Sequence, residues 1–471
     1  MLFSSLVFLF NFLPLLLLTY FISPRNTKNA ILLLFSLLFY AWGGFSYTLI
    51  LILSVLANWL ISLKINEDKN KKWLLFGLVL NVLVLVIFKY LNFFIDNINV
   101  LIDPFSNQRI NNVKIHLPLG ISFFTFQQMS MLWDIYRSKE KTKIRLLDSA
   151  LYVSFFPQLI AGPIVRYHDI IDQIKNRVVQ IDLINSGIKR FIYGLFKKVV
   201  IANTCAQIAD DIMANNIHSI GWDGAWLGIL AYTFQIFFDF SGYSDMAIGL
   251  GRIFGFRILE NFNFPYISRS IQEFWRRWHI SLSNWFKDYV YIPLGGNRKS
   301  KNRTYFNLIL VFLLTGFWHG ATWSFVFWGL FHGFFLIIER IGFKKILDRI
   351  PSIFSWVYTF LIVVIGWVFF RIEGIEVAFE YVSTMFHFGN GFGHSLIYFN
   401  SYNVAILILA LFMCSPLIEK YLEKKIKSLQ SVISIEFVPH LVSSIFFLSI
   451  FFYTCLVLAT SSYNPFIYFR F

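Results

Sequence analysis

The most regular feature of this chain is a succession of apolar blocks separated by short polar segments. Many blocks have about 17 to 25 residues, the length that an α-helix needs to cross a hydrocarbon core roughly 30 Å thick. They are continuous runs of Leu, Ile and Phe, whereas the strands of a membrane β-barrel alternate apolar and polar residues. Because helices satisfy their own backbone groups in lipid, the pattern predicts an all-α polytopic membrane protein with about eleven crossings.

Some crossings are clearer than others. Residues 2–22 lack the basic start and the cleavage site of a secretory signal, so we expect them to stay as an anchor. Residues 152–164 are interrupted by Pro157, Gly162 and Pro163, which indicates a re-entrant segment. Later crossings are predicted at residues 187–203, 225–249, 304–322, 323–341, 356–370, 404–417 and 438–458. We interpret residues 1–471 as one membrane domain, with N-terminal helices (1–115), a catalytic core (about 117–341) and a C-terminal part with an aromatic tail (351–471).

The distribution of charge predicts orientation. The chain has 41 Lys and Arg against 26 Asp and Glu, and a net charge of +15 would suggest nucleic acid in a soluble protein. Here cations fill alternate loops, at Arg25 and Lys28 and in residues 64–72 and 137–145. By the positive-inside rule these loops are cytoplasmic, which places the N-terminus outside the cytoplasm. We therefore expect no nucleic-acid partner.

Several common chemistries lack their motifs. The cysteines Cys205, Cys414 and Cys455 lie in or near apolar stretches, without the close spacing of metal sites or redox pairs. The sequence also has no Gly-x-Ser-x-Gly elbow and no His-Glu-x-x-His pair. We therefore expect neither a metal nor a disulfide, and the sequence does not indicate a serine hydrolase.

One segment is too polar for a lipid-facing helix and too aromatic for a solvated loop. The stretch FWRRWHISLSNWFKDYVYIPLGGNRKSKNR, residues 274–303, places His279 among cations and aromatic rings. Ionisable residues at membrane depth are costly unless a buried cavity uses them. The alternative is an interfacial amphipathic helix whose tryptophans and cations meet lipid headgroups.

A second histidine lies in an otherwise uncharged span. The stretch TGFWHGATW, residues 315–323, places His319 between Gly316 and Gly320, whose missing side chains are expected to leave room for a substrate. Because an ionisable residue inside a membrane is costly, we take His319 as a candidate functional residue. The alternative is a core histidine hydrogen-bonded to a neighbouring helix, which is the interpretation we give to His332 in LFHGFF.

Two further polar patterns are interpreted as structural. Asp239 and Asp245, in FDFSGYSDMAIGLG, either form a proton path or pair with the arginines of the following segment, and pairing is favoured. His218 and Asp223 match the His-x4-Asp pattern of glycerolipid acyltransferases. A five-residue coincidence of this kind is frequent, so the match carries little weight.

Taken together, residues 274–296 followed by 315–323 resemble the membrane-bound O-acyltransferase family in order and spacing. The resemblance is to the branch of the alginate O-acetylation membrane protein and the peptidoglycan O-acetyltransferases. Further matching stretches are LPLGISFFTFQ (117–127), FFPQLIAGPIVR (155–166), FDFSGYSDMAIGLG (238–251) and NFNFPY (261–266). The resemblance thus covers most of the chain.

This resemblance implies a fold, a site and partners. The family fold is a ring of tilted helices around a tunnel, in which donor and acceptor approach from opposite membrane faces. The family's catalytic histidine falls on His319 and its upstream conserved histidine on His279. The implied reaction passes acetyl from acetyl-CoA, a co-substrate and not a resident cofactor, toward a cell-surface polysaccharide. It implies a bacterial cytoplasmic membrane with its lipids, and a separate extracytoplasmic O-acetyltransferase of SGNH or similar type.

Acyl transfer to a hydroxyl needs a base, and an imidazole that titrates near neutrality suits this role. We assign it to His319. The oxyanion that forms needs hydrogen-bond donors in a dry cavity, and the candidates are Asn284, Trp278 and His279.

Cations of the same segment are candidates for binding the donor. Guanidinium and ammonium groups pair well with phosphate oxygens, such as those of coenzyme A or an acidic carrier. The candidates are Arg276, Arg277 and Lys287, with Arg298 and Lys299 further along the chain. The rival interpretation is a plain cytoplasmic anchor.

The chain ends in the aromatic sequence PFIYFRF. A related family member, the D-alanyl transfer protein of teichoic acid modification, works with a small peptide whose C-terminal aromatic motif presents a tyrosine for acylation. The resemblance therefore predicts that Tyr468 enters the tunnel and relays the acyl group as a transient ester. The alternative is an ordinary aromatic tail at the membrane edge.

Other functions stay open at this point. D-alanyl transfer from a carrier protein is the nearest competitor among enzymes, and lipid or sterol acylation is more distant. A transporter or flippase would show inverted repeats and paired broken helices, which the sequence does not show.

Overall fold

The computed structural model describes residues 1–105, 108–141, 143–389, 393–417, 420–421, 424, 437–461 and 463–467. Within these residues all regular structure is helical, which confirms the predicted all-α class. Five of the described helices are long and apolar enough to cross a membrane: Phe45–Asp68, Lys71–Ile102, Trp323–Leu347, Ser352–Arg371 and Leu441–Thr460. Shorter apolar helices are Phe8–Ile22, Lys28–Ala41 and Ser401–Met413. The protein is an all-helical polytopic membrane protein, and the predicted number of crossings stays a prediction.

A first compact unit consists of Met1–Asn185, Leu250–Leu259 and Trp318–Thr322. Its α-helices are Leu13–Ile22, Lys28–Ala41, Phe45–Asp68, Lys71–Leu85, Leu91–Ile102, Ile121–Arg137, Leu146–Ser154, Phe156–Leu159 and Tyr167–Asn176. Two π-helical turns, Phe8–Phe12 and Val86–Tyr90, lead directly into the α-helices that follow them. A second unit consists of Ser186–Gly249, Glu260–Phe317 and Trp323–Phe471. The interpretation of the whole chain as one domain stays a prediction.

Buried amides join three helices of the first unit. Asn58 donates to Gln128 Oε1 over 3.0 Å, and Asn81 donates to Asn58 Oδ1 over 2.7 Å. All three residues are at most 1% exposed. Polar side chains that bond across helices contribute on the order of 1 kcal/mol each in a membrane, where helices gain little from apolar contact alone. This network therefore fixes the register of the three helices.

The segment predicted to be re-entrant is broken in the structure. The helix Leu146–Ser154 ends at Phe155, and the short helix Phe156–Leu159 follows. A tight turn comes next, in which a Cβ at Gly162 would lie 2.5 Å from the Pro157 carbonyl oxygen. Irregular backbone at membrane depth is tolerated where protein buries it, and residues 151–165 are all buried. Whether the segment turns back within the membrane stays a prediction.

The second unit carries most of the segments that the sequence singles out. Its α-helices are Ile181–Phe196, Asn203–Met213, Gly221–Ile253, Ile271–Arg277, Ile280–Phe286, Lys301–His319, Trp323–Ile338, Lys344–Leu347, Ser352–Arg371, Ile375–Phe386, Ser401–Met413 and Phe437–Thr460. The helix Ile181–Phe196 begins in the first unit, and Gly221–Ile253 ends in it. The last two residues of Lys301–His319 also belong to the first unit. Between these helices lie π-helical turns at Lys197–Ala202, Lys287–Tyr291 and Glu339–Phe343 and 3-10 turns at Ile217–Ser219, Pro265–Ile267 and His394–Tyr398.

Glycines allow close helix packing in the second unit. A Cβ at Gly194 would lie 2.5 Å from the Gly242 carbonyl oxygen, and one at Gly316 would lie 2.3 Å from the Phe325 carbonyl oxygen. Small residues let the backbones of membrane helices approach in this way. Backbone of the next helix therefore fills the space beside Gly316, contrary to the expectation that it leaves room for a substrate.

Candidate functional site

His319 is the last residue of the helix Lys301–His319 and belongs to the first unit. It is 3% exposed, and its ring lies edge-on to the indole of Trp318, with 4.9 Å between the centroids. Trp318 in turn packs against Phe123 and Phe126 at centroid distances of 5.2 and 5.8 Å. The predicted base thus lies at a helix end inside an aromatic environment of the first unit.

A lysine that the sequence reasoning missed holds this helix end. The Nζ atom of Lys89 donates to the Trp318 carbonyl oxygen, lies 3.4 Å from the His319 carbonyl oxygen and is 3.2 Å from Ser122 Oγ. The last carbonyl groups of a helix have no partner within it, and the C-terminal end of the helix dipole favours a cation. Lys89 lies within the apolar span Lys71–Ile102, where an ammonium group costs free energy unless polar groups bind it. It therefore fixes the main chain that carries the imidazole of His319.

His279 lies in the second unit, in an unusual backbone conformation. It is fully buried, and its φ of 46° places it in the left-handed region, which residues other than glycine seldom adopt. This residue separates the helices Ile271–Arg277 and Ile280–Phe286, so the chain turns sharply at the imidazole. Such strain persists only where the surroundings fix it, and it concentrates at functional sites.

Asn261 fixes the side chain of His279. Its Oδ1 atom lies 3.2 Å from His279 Nδ1, accepts from the Ser281 hydroxyl over 2.8 Å and accepts from the Ser281 amide over 3.2 Å. Its amide nitrogen donates to Ser244 Oγ over 3.1 Å. Because a backbone N–H can only donate, the Asn261 atom that faces it is the oxygen. His279 Nδ1 faces the same oxygen and therefore carries the proton, which leaves Nε2 as the basic nitrogen.

Asn261 is a second candidate site residue that the sequence did not indicate. Its stretch, NFNFPY, contributes to the family resemblance without a role for any residue. The sequence feature that could have indicated it is its position, between a predicted membrane span and the segment that contains His279.

The predicted oxyanion donors and donor-binding cations have different environments. Trp278 is buried among Phe262 and Trp367, at centroid distances of 5.0 and 4.8 Å, and Asn284 is half-buried. Among the cations, Arg276, Lys287, Arg298 and Lys299 are exposed. The remaining cation, Arg277, forms an ion pair with Glu273 over 2.9 Å and donates to the Asn263 carbonyl oxygen over 3.0 Å. Arg277 therefore stabilises its own helix, whereas the exposed cations are available to a ligand.

The buried acids of the second unit pair with cations that precede them in the chain. Asp245 binds Arg190 over 2.6 Å and Lys197 over 2.8 Å, and Asp239 binds Lys198 over 2.7 Å. The expectation that they pair with arginines of the following segment is wrong. The close contact of the helices Ile181–Phe196 and Gly221–Ile253 through glycines explains the choice of partner.

A polar cavity of about 300 Å³ opens beside Asn261 and Ser244. Arg190 and Asp245 contribute to its wall, and so does Ser241, whose buried hydroxyl has no hydrogen-bond partner in the part of the chain that the structure describes. A polar ligand thus has room next to the residue that holds His279.

The tail that precedes Tyr468 is anchored in the second unit. Lys198 donates to the Pro465 carbonyl oxygen, and Asp239 accepts from the Ile467 amide over 2.9 Å. Phe466 is 5% exposed and lies against Tyr243, with 4.9 Å between the ring centroids. The buried Lys198–Asp239 pair therefore binds the tail. Tyr468 itself lies outside the described residues.

The remaining histidine patterns have structural surroundings. His332 is buried among the rings of Trp275 and Trp328, at centroid distances of 5.1 and 5.2 Å. Neither of its ring nitrogens has a hydrogen-bond partner in the described part of the chain, so the expected hydrogen bond to a neighbouring helix is wrong, while the core position is confirmed. In the weak His-x4-Asp match, His218 pairs with Glu380 over 3.1 Å, while Asp223 accepts from the Ser395 hydroxyl over 2.8 Å. The two residues of that match thus have different partners.

Comparison with known proteins reveals relatives over most of the chain. Residues 112–383 match the model of the membrane-bound O-acyltransferase family, a range that includes both His279 and His319. The probable alginate O-acetylase AlgI of Pseudomonas aeruginosa is 48% identical over 394 residues, which are 83% of this chain and 75% of that protein. The peptidoglycan O-acetyltransferase of Helicobacter pylori is 41% identical over 424 residues, 82% of this chain and 80% of that protein. The teichoic acid D-alanyltransferase of Streptococcus thermophilus is 33% identical over 240 residues, 48% of this chain and 58% of that protein.

Proposed function

The chain belongs to the membrane-bound O-acyltransferase family, and we propose that it passes acetyl from cytoplasmic acetyl-CoA across a bacterial cytoplasmic membrane. The acceptor is an exported cell-surface polysaccharide, alginate-like or peptidoglycan. One observation carries the proposal: the chain is 48% identical over 83% of its length to a probable alginate O-acetylase, and the matched part contains its two buried, fixed histidines. In this proposal the N-terminus lies outside the cytoplasm, and the polysaccharide receives acetyl through a separate extracytoplasmic O-acetyltransferase of SGNH or similar type.

His319 acts as the base in the proposed reaction. Its neutral imidazole takes the proton of the attacking hydroxyl while that oxygen bonds to the thioester carbonyl carbon. The carbon–sulfur bond then breaks, the coenzyme A thiolate leaves, and it recovers the proton from the imidazole. The exposed cations Arg276 and Lys287 bind the donor phosphates, while Asn284 and Trp278 are the proposed oxyanion donors.

The geometry around Asn261 refines the role of His279. With its proton on Nδ1 bonded to Asn261, the ring presents Nε2 as a hydrogen-bond acceptor. An acceptor cannot stabilise an oxyanion. We therefore assign His279 to orienting a hydroxyl group, in place of the oxyanion role that the sequence suggests.

Tyr468 is the proposed relay. Its phenol oxygen attacks the thioester, gives its proton to the base and becomes an acetyl ester, and a second hydroxyl later displaces the tyrosine. The anchored residues from Tyr463 to Ile467 support this role, because they hold the chain in place up to the residue before Tyr468, and the last two of them, Phe466 and Ile467, are buried.

Donor identity is tested in membrane vesicles that contain the protein and a polysaccharide acceptor. Radiolabelled acetyl-CoA and a carrier protein charged with radiolabelled D-alanine are supplied in parallel. We expect label from acetyl-CoA alone. Transfer from the D-alanyl carrier alone would replace the acetyl proposal with D-alanyl transfer, and transfer from neither would contradict both.

The relay is tested separately with Tyr468→Phe, which removes only the phenol oxygen. We expect loss of acetyl transfer with normal protein levels, and loss of the labelled protein ester. Tyr453→Phe, at an exposed position of the last described helix, is the matched control. Full activity of Tyr468→Phe would end the relay proposal without affecting the assignment of the donor.

A further inference from the structure

A basic pocket of about 290 Å³ lies in the first unit, and neither His279 nor His319 lines it. It is formed by the end of the helix Leu13–Ile22, the start of the helix Lys28–Ala41, and the last turn of the helix Tyr167–Asn176 with the segment that follows it. Four cations line it: Arg25, Lys28, Lys175 and Arg177. None of its lining residues is acidic, and none of the four cations forms an ion pair within the described residues. Four like charges converge here without a counter-charge.

The pocket is built by specific contacts. Arg177 donates to the Phe254 carbonyl oxygen over 2.9 Å and to Asn29 Oδ1 over 2.6 Å, and its guanidinium lies 4.2 Å from the centroid of the Phe256 ring. Lys28 lies 4.7 Å from the centroid of the Tyr20 ring. Cations that serve only membrane orientation need no such fixed positions. The fixed geometry indicates a binding site.

Electrostatics favour an anion at this place. Burial lowers the pKa of the Arg177 guanidinium, and the nearby charge of Arg25 lowers it further, although Tyr20 opposes the shift. An anion would relieve both effects. The pocket also includes the first residues of the helix Lys28–Ala41, and the N-terminus of a helix attracts anions through its dipole and its unpaired N–H groups.

The surroundings indicate where the anion comes from. Directly before Ser23 of the pocket, the first helix exposes Leu18, Phe21 and Ile22, which are 61%, 43% and 76% exposed. An apolar surface next to a basic pocket fits an acyl chain beside a headgroup. Arg25 and Lys28 also belong to a loop that the charge pattern places on the cytoplasmic side, where anionic lipids attract basic residues.

We propose that this pocket binds the phosphate group of an anionic phospholipid headgroup. Arg177 and Lys28 contact the phosphate oxygens, and Arg25 and Lys175 contribute charge at the exposed rim. A soluble phosphate compound, such as the nucleotide part of a coenzyme, offers the same chemistry, and the experiment separates the two sources.

The test uses the full-length protein, purified in an uncharged detergent. Phosphatidylglycerol and phosphatidylcholine are titrated in parallel, and bound lipid is counted by native mass spectrometry. Inorganic phosphate and adenosine 3′,5′-bisphosphate are titrated as soluble probes, with the melting temperature as readout. The variant Arg25→Gln/Lys175→Gln removes two exposed cations that make no hydrogen bond with the described residues, so the fold should persist. Lys71→Gln/Lys72→Gln removes two exposed cations from the start of the helix Lys71–Leu85 and is the matched control.

We expect phosphatidylglycerol to bind in preference to phosphatidylcholine. The pocket variant should bind phosphatidylglycerol about thirtyfold more weakly, since each of the two removed cations contributes about 1 kcal/mol near an anionic surface. The control variant should bind like the wild type. If the bisphosphate binds and the pocket variant weakens it while lipid binding is unchanged, the phosphate comes from a soluble compound. Equal binding of both lipids without a response to soluble phosphates, or equal behaviour of the two variants, would overturn the proposal.

Discussion

The two candidate histidines are held by different groups. In the second unit, His279 is held through its side chain, because Asn261 bonds to its Nδ1 and a left-handed backbone turn sets the direction of the ring. In the first unit, His319 is held through its main chain, because Lys89 binds the carbonyl groups at the end of its helix. A neutral amide controls the first residue and a cation the second.

This difference separates two requirements of an acyltransferase. A residue that orients a hydroxyl group benefits from one fixed tautomer, which an amide oxygen supplies without adding charge. A base accepts a proton and later returns it. A contact to its main chain holds it in place without restricting the protonation state of its ring. The comparison supports His319 as the proposed base and His279 as the proposed orienting residue. Mutations of the two residues and of their partners test both assignments.

The largest effect is expected for His319→Gln. Loss of a general base should lower acetyl transfer about 10² to 10⁴-fold. His279→Gln should lose less, about tenfold to 10²-fold, because an amide side chain can still accept a hydrogen bond. The rates are measured with labelled acetyl-CoA, and His116→Gln, at an exposed position, is the control. A larger loss for His279→Gln than for His319→Gln would reverse the two roles.

Asn261→Ala should produce the next largest effect. It leaves the buried donors of His279 and Ser281 without their acceptor, at a cost of about 1 to 3 kcal/mol for each buried group. We expect a lower melting temperature and at least an approximately tenfold loss of acetyl transfer. Asn261→Asp keeps the acceptor oxygens and should recover part of the activity. The surface variant Asn215→Ala is the control, and a melting loss with unchanged activity per folded molecule would remove Asn261 from the site.

Lys89→Met should have a smaller effect, since it removes one cation from the helix end that carries His319. Charged hydrogen bonds are worth about 1.5 to 3 kcal/mol. We expect acetyl transfer to fall roughly tenfold, mainly in kcat, because the base is displaced while the donor site stays intact. Lys89→Arg should restore most of the rate, and Lys72→Met is the exposed control. Failure of the arginine variant to restore more activity than methionine would show that the cation does not position His319.

The comparison also shows which parts of the molecule the sequence predicts. Apolar blocks predict the helices well, because lipid imposes one length and one composition on every crossing. The predicted crossing 323–341 corresponds to the helix Trp323–Ile338, and the predicted crossing 356–370 lies within Ser352–Arg371. The observed helix extends beyond the predicted crossing to Arg371, which forms an ion pair with Asp210 over 2.7 Å, a contact that a hydropathy pattern does not show.

The contacts around the two histidines could not be predicted in the same way. Lys89 and His319 are 230 positions apart, and no periodicity relates them. Asn261 and His279 are only 18 positions apart, yet their bond depends on the left-handed turn at His279, which has no clear sequence signal. The wrong partners predicted for Asp245 have a related cause. The choice between earlier and later cations depends on glycine contacts between helices, which are a property of the packed structure.

A third histidine sharpens the comparison, because its partner is a carboxylate. His168 Nδ1 lies 2.8 Å from Asp134 Oδ2 at a half-exposed position, in a helix that is not a membrane span. The hydrogen bond to Asp134 raises the pKa of His168, burial opposes the rise, and the charges of Asp134 and Asp169 add to it. The folded pKa therefore lies above the unfolded value of about 6.5, so the pair stabilises the fold fully below that pH and loses its contribution as the pH rises through the folded pKa. Exposure limits the contribution to less than about 1 kcal/mol. The melting temperature of the wild type relative to His168→Gln should thus be about 1 °C higher at pH 5.5 than at pH 8.5, and a difference of the opposite sign would show that the carboxylate does not bind the charged ring.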